Sequence, residues 1–179
     1  PIGHRSIYGQ LPQFGFKSLP LTEATTLANN ETLVVIMLET PAAIELADPI
    51  AALPGVDVVM IGTNDLERAK RFYDALLGTL GVKPAMVDGN RIFYRSPTGV
   101  LSISLPIDGQ PATAANGATL GFNASSPEQA QAWHAAGLAA GGTAIEDPPG
   151  IREGMGRKLY LAYLRDPDGN KLCALHRIK

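Results

Sequence analysis

The chain has 179 residues, a formal net charge of −2, 45% hydrophobic residues and 18% charged residues. That length is one domain, or one domain with a large appendage, and the composition excludes wholesale disorder. A slightly acidic balance argues against a nucleic-acid-binding surface. The single cysteine excludes a disulfide framework, and no apolar run nears the ~18 residues of a membrane span. There is no basic-then-apolar leader, so the expected location is the cytoplasm, or none at all for a recombinant product. Neither nucleic acid nor membrane is expected as a partner. Charge is unevenly placed, −4 over residues 1–63 and +2 over 64–179, which hints at two origins in one chain.

Residues 1–17 carry glycine and proline without periodicity and read as loop. Ser18-Leu19-Pro20 opens a short helix ending at Asn29-Asn30. Residues 32–38 are a continuous apolar run, and Pro41 opens a helix through Leu53, with Ile44, Ala47, Ile50 and Ala51 at helical spacing. Residues 57–62 are a second apolar run. Two such strands around a helix predict a βαβ unit with parallel strands. Asn64 with Glu67 then forms a capping box ahead of an amphipathic helix over 65–77. Strands follow at 84–88, 91–96 and 100–105, separated by Asp88-Gly89-Asn90 and Pro97-Thr98-Gly99. After a connection over 107–117 the order repeats. A strand at 118–124 leads to a helix over 127–140 capped by Ser126, a strand at 143–146 and a loop over 147–157. Strands at 158–165 and 171–177 then flank the turn Asp166-Pro167-Asp168-Gly169-Asn170. Residues 57–106 and 118–177 are therefore two copies of a βαβββ plan.

Two resemblances meet in one segment. From residue 57 to the end, VMIGTNDLERAKRFYDALLG, the paired βαβββ plan and YLRDPDGNKLCALHR resemble the vicinal oxygen chelate superfamily, the glyoxalase/bleomycin-resistance/dioxygenase group. Residues 3–65 resemble the HpcH/HpaI aldolases, through GHRSIYGQ and VVIMLETPAAIELADPIAALPGVDVVMIGTNDL. That second family implies a (β/α)8 barrel of ~250 residues, of which only a fragment is present. The fold class is thus α/β (α+β): paired βαβββ modules of the glyoxalase-like fold with an N-terminal βα/βαβ extension derived from a barrel aldolase. The domains are an aldolase-like fragment over 1–63 and a glyoxalase-like domain over 57–179, sharing 57–65.

The chelate resemblance implies four metal ligands on one cup-shaped sheet face, with open positions for substrate. Carried across, those positions fall on Val58, Thr119, Cys173 and the neighbourhood of Ser102–Ser104. Val58 cannot ligate, so the superfamily's metal site is expected to be missing. His176 on the last strand is the remaining acid/base candidate facing the cup, and Arg152 in the 147–157 loop is a candidate lid residue meeting an anionic substrate. Tyr94, Tyr160 and Tyr163 read as core or wall. The aldolase resemblance implies a divalent-metal pair of Glu39 and Asp65, both following apolar strands. No cofactor is expected beyond weak Mg²⁺ or Mn²⁺ there. The aldolase's catalytic His and Arg lie on strands this chain lacks.

The resulting expectation is an engineered or recombined chimera with no specific catalytic activity. Its rivals are a glyoxalase- or dioxygenase-like metal-dependent lyase or oxidoreductase, and a metal-free, bleomycin-resistance-like module for a small anionic ligand. One conflict bears on assembly. Strand 32–38 wants to pair in parallel with 57–62, whereas the chelate plan places 118–124 against that same strand. Both cannot hold in one compact unit. The reading is that the chelate sheet keeps strand 57–62, and that either the N-terminal strand adds at an outer edge or the two modules separate and pair with a second chain, giving a homodimer or an opened sheet.

Overall fold

The structure, a computed structural model, describes residues 35–37, 58–97, 99–154 and 157–178. The expected helices over 18–30 and 41–53, and Glu39, lie outside them. Residues 35–179 form one compact unit. Its elements are β1 (Val35–Met37), β2 (Val58–Gly62), α1 (Leu66–Gly78), β3 (Met86–Asp88), β4 (Arg91–Ser96) and β5 (Gly99–Ser104). They continue with β6 (Leu120–Asn123), α2 (Pro127–Ala139), β7 (Thr143–Ala144), β8 (Gly150–Gly154), β9 (Arg157–Arg165) and β10 (Lys171–Ile178).

Both βαβββ copies are present, each as its own sheet. The first sheet runs β1-β2-β5-β4-β3, with β1 and β5 parallel to β2. The second runs β6-β10-β9-β7, with β6 parallel to β10 and β8 antiparallel to β9. Thus β2 and β6 do not pair, and the sheet is opened. The expected competition for β2 resolves in favour of β1, whose residues 35–37 stand in register with 58–60. The expectation that the chelate sheet would keep β2 is corrected on this point.

The helices form because their apolar residues recur at helical spacing and their first turns are capped. In α1, Ala69, Phe72, Tyr73, Leu76 and Leu77 are buried, a stripe at i, i+3, i+4, i+7 and i+8. Phe72, Tyr73 and Leu76 are fully enclosed, and full burial of such a side chain contributes about 1.5–3 kcal/mol. The cap is Asp65, whose Oδ1 accepts from Arg68 N–H at 2.9 Å, so the helix starts one residue later than the capping box predicts. Asn64 is diverted: its side chain accepts from Ala112 N–H at 2.7 Å and donates to Asp168 at 3.0 Å. In α2, Ser126 caps Gln129 N–H as expected. The loop expected over 147–157 contains β8, a hairpin partner of β9 that registers Gly150–Gly154 against Leu161–Arg157.

One core serves both sheets. Ile92, Tyr94, Leu101 and Ile103 from the first sheet join Tyr160, Ala162, Leu164, Leu172 and Ala174 from the second, with Phe72, Leu76 and Trp133 from the helices. The helices contact each other and their own sheets. Residues of both helix-bearing faces therefore contribute to a common core. The backbone of α2 is close-packed at Gly137, where a Cβ would sit 2.5 Å from Leu164 Cδ2 and 2.8 Å from Leu76 Cδ1 of the other module.

Candidate functional site

Period-two alternation assigns the helix-free face residue by residue. In the first sheet Ile61, Leu101 and Ile103 pack inward. Val58, Met60, Ser102 and Ser104 are therefore outward, with Ser102 opposite Met60 and Phe93. In the second sheet Leu172 and Ala174 are inward, so Cys173, Leu175 and Arg177 face outward with Gly121 and Asn123 of β6.

The implied ligand positions can now be tested against donor chemistry. Val58 is a hydrocarbon, 7% exposed. Ser102 is fully buried, and its hydroxyl has no hydrogen-bond partner among the described residues. Thr119 offers a hydroxyl just before β6. Cys173, 4% exposed, lies between Gly121 and Tyr163. Val58 and Ser102 belong to the first sheet, and Cys173 and the strand following Thr119 to the second. Among the described residues no three His, Cys, Asp or Glu side chains come together. This residue set does not fit a chelated metal.

His176 shares its face with Leu172 and Ala174, not with Cys173. Its expected place in the cup is corrected, because i, i+2 and i+4 of a strand lie on one side. Its Nδ1 lies 2.9 Å from Ala124 O. A carbonyl only accepts, so Nδ1 carries the hydrogen. Arg152 lies within β8, not on a free loop. It donates to Pro148 O at 2.9 Å and Ile151 O at 3.2 Å, and stands 3.8 Å from Asp147. Asp65 is engaged as the α1 cap, and Glu39 lies outside the described residues.

The concave feature nearest these groups is a depression of about 360 Å³ where β6 and β10 end, lined by Asn123, Ala124, Ser125, Leu175, His176 and Arg177. Arg177 makes no salt bridge among the described residues, unlike Lys171 with Glu146 or Lys158 with Glu153. The carboxyl ends of adjacent parallel strands are where open α/β sheets commonly bind ligands. Sequence reading passed over Arg177, although its spacing from Cys173 already places it on the cup face.

A second polar centre joins the modules. Asp168, with a side chain 4% exposed, accepts from Thr63 Oγ1 at 2.6 Å, Asn64 N–H at 3.0 Å, Asn64 Nδ2 at 3.0 Å and Arg68 at 2.7 Å. Burial raises its pKa, but the Thr63 and Asn64 hydrogen bonds and the Arg68 charge outweigh that and hold it below the ordinary carboxylate value. Asp166 accepts from Tyr73 OH at 2.7 Å and from Asn170. Its burial wins over those bonds, so its carboxyl titrates higher than usual. Gly169, at φ +91°, closes the turn that presents both carboxylates. This centre is a staple between modules, far from the helix-free faces in role.

Residues 55–174 match the family model described as Glyoxalase/Bleomycin resistance protein/Dioxygenase superfamily. The chain belongs to that superfamily. Residues 5–77 match a second model, HpcH/HpaI aldolase/citrate lyase, so β2 and α1 satisfy both. A crystal structure of a glyoxalase/bleomycin resistance protein from Albidiferax ferrireducens T118 is 65% identical, with a TM-score of 0.66, over 68% of this chain and 98% of that one. A putative glyoxalase from Bacillus halodurans shares the fold at 22% identity, with a TM-score of 0.56, over 66% of this chain and 92% of that one. The 4-hydroxy-4-methyl-2-oxoglutarate aldolase tasA of Hapsidospora irregularis is 38% identical over 42% of this chain. The chain spans about a third of that aldolase's length, 32%. No helix among the described residues is long and apolar enough to cross a membrane.

Proposed function

We propose that the chain is a recombined fusion whose working part is the glyoxalase-type domain, and that this domain binds a small anionic ligand without a metal and without turning it over. The observation that carries the reading is the donor set: a hydrocarbon at Val58 and hydroxyls at Ser102 and Thr119 leave the Cys173 thiol as the only strong ligand. What the second helix-free face offers instead is Arg177, with the Asn123 amide and an apolar Leu175 wall. A guanidinium is suited to carboxylate or phosphate. The two modules form separate sheets rather than one continuous cup, so the assembly is proposed to be a homodimer in which a second copy completes the site. The aldolase-derived part supplies structure through β1, not chemistry.

The test has two arms. Elemental analysis of protein purified without added metal is expected to find no stoichiometric Zn²⁺, Ni²⁺ or Fe²⁺; finding one would favour the metal-dependent lyase or oxidoreductase instead. In the second arm, inorganic phosphate, pyruvate and benzoate are screened at millimolar concentration for a rise in melting temperature. At least one should raise it, and Arg177→Ala should remove the rise. A rise that survives Arg177→Ala refutes the placement of the site.

A further inference from the structure

The register of the second sheet sets two arginines in one row. β8 and β10 flank opposite edges of β9, and Leu159 stands opposite Arg152 on one side and Arg177 on the other. Residues directly opposed across an antiparallel pair share a face. Both arginines therefore leave the helix-free face, two strand spacings or about 10 Å apart. The next row on that face runs Gly150, Leu161, Leu175. Leu159, Leu161 and Leu175 are partly exposed, whereas Tyr160, Ala162 and Leu164 on the opposite face are buried. The result is an apolar strip with a cation on each flank.

Arg152 is oriented without being neutralised. Its Nη2 donates to Pro148 O at 2.9 Å and its Nη1 to Ile151 O at 3.2 Å. Nη1 lies over Gly150, where a Cβ would come within 3.1 Å of it. Both acceptors are neutral carbonyls, and a guanidinium has five N–H groups, so donors are left for a ligand. Asp147 stands 3.8 Å away with a side chain 85% exposed, a pairing that water screens. At the far end of the same face the cations have other partners: Lys171 pairs with Glu146, and Arg165 donates to Gly169 O at 2.5 Å.

We propose that Arg152 and Arg177 together bind a short dicarboxylate across the leucine strip, one carboxylate on each guanidinium. This rests on the anion site proposed above and names its ligand class. The planar fork of arginine matches a carboxylate through two parallel N–H bonds. Bonds of about 2.8 Å at each end take up most of the span between the arginines, leaving a spacer of roughly one to three carbons. Methylenes there would lie against Leu159 and Leu161. A monocarboxylate of the same length satisfies only one guanidinium.

The test is calorimetric titration of the full chain with succinate and with butyrate, at matched ionic strength and neutral pH, with thermal melts as a folding control. Succinate is expected to bind about tenfold more tightly than butyrate, or better. Arg152→Gln should bring succinate down to the level of butyrate and leave butyrate unchanged. Arg177→Gln should weaken both. If succinate binds no better than butyrate while butyrate still depends on Arg177, the arginine pair is overturned and the anion site stands. A preference for succinate that survives Arg152→Gln also overturns the pair. So does an Arg152→Gln variant that weakens both acids alike, since Arg152 then acts only through the fold of β8. If neither acid binds, the anion site fails and the pair with it.

Discussion

Asp168→Ala is expected to destabilise the chain markedly, because it removes most of the polar staple between the two modules. The carboxylate accepts four hydrogen bonds, from Thr63, the Asn64 backbone, the Asn64 side chain and Arg68. Bonds to charged groups contribute about 1.5–3 kcal/mol each, but these four do not count equally. Arg68 is 40% exposed and returns to water, and Asn64 is exposed as well. Thr63, 1% exposed, keeps only 3.2 Å contacts to Asp65 O and from Asp65 N–H. A loss of about 3 kcal/mol results, allowing for re-solvation of the exposed donors. For a chain of this size that is about 6–12 °C in melting temperature. The folded carboxyl titrates below its ordinary value. Its contribution is therefore present above the unfolded-state pKa and lost as pH falls through the folded one. The deficit of the variant should be full at neutral pH and shrink only as pH falls below the ordinary carboxylate range. Calorimetry of both proteins across pH checks this. A fall of less than ~2 °C at neutral pH, or a deficit unchanged in acid, would refute the staple.

Asp65→Ala removes the α1 cap, and should cost about 1 kcal/mol, by the same amount with and without Mg²⁺ or Mn²⁺ in thermal melts. If Mn²⁺ stabilises the parent and Glu39→Ala abolishes that effect, the aldolase pair is intact and the cap is not the main role of Asp65. With Mn²⁺ present, formation of pyruvate from a 4-hydroxy-2-oxo acid should stay at the no-enzyme rate, checked by a coupled pyruvate assay. Gly137→Ala should destabilise by up to about 2 kcal/mol. Overpacking costs ~1–3 kcal/mol, against ~1 kcal/mol of helix propensity gained, since the new methyl meets Leu76 and Leu164, both fully buried. Chemical denaturation with an unchanged m-value is the readout.

Elements whose signal is local were legible in the chain. The α1 stripe, the Ser126 cap, the strand at 91–96 and the turn at 166–170 each rest on neighbours within a few residues. The N-cap shifted from Asn64 to Asp65 because Asn64 is claimed by Ala112 and Asp168, partners 48 and 104 residues away. β8 escaped notice because Gly150–Gly154 has no alternation of its own; it is a strand only because β9 offers a ladder. The face of His176 was decidable from spacing alone, being set by the same period that buries Leu172 and Ala174.

Sequence by itself determined the repeated βαβββ plan, the two resemblances that overlap at β2, and the hydrocarbon at Val58 that spoils a ligand set. Those depend on residue type and on periods of 2.0 and 3.6, which the chain carries wherever it folds. Only the tertiary structure decided which strand sits beside β2. A strand presents its backbone ladder to any neighbour of matching direction, and nothing in residues 58–62 prefers β1 to β6. The choice is made by the whole unit: a common core gathers residues of both sheets around α1 and α2, the Asp168 staple ties the modules at Thr63, and β1 takes the edge of β2.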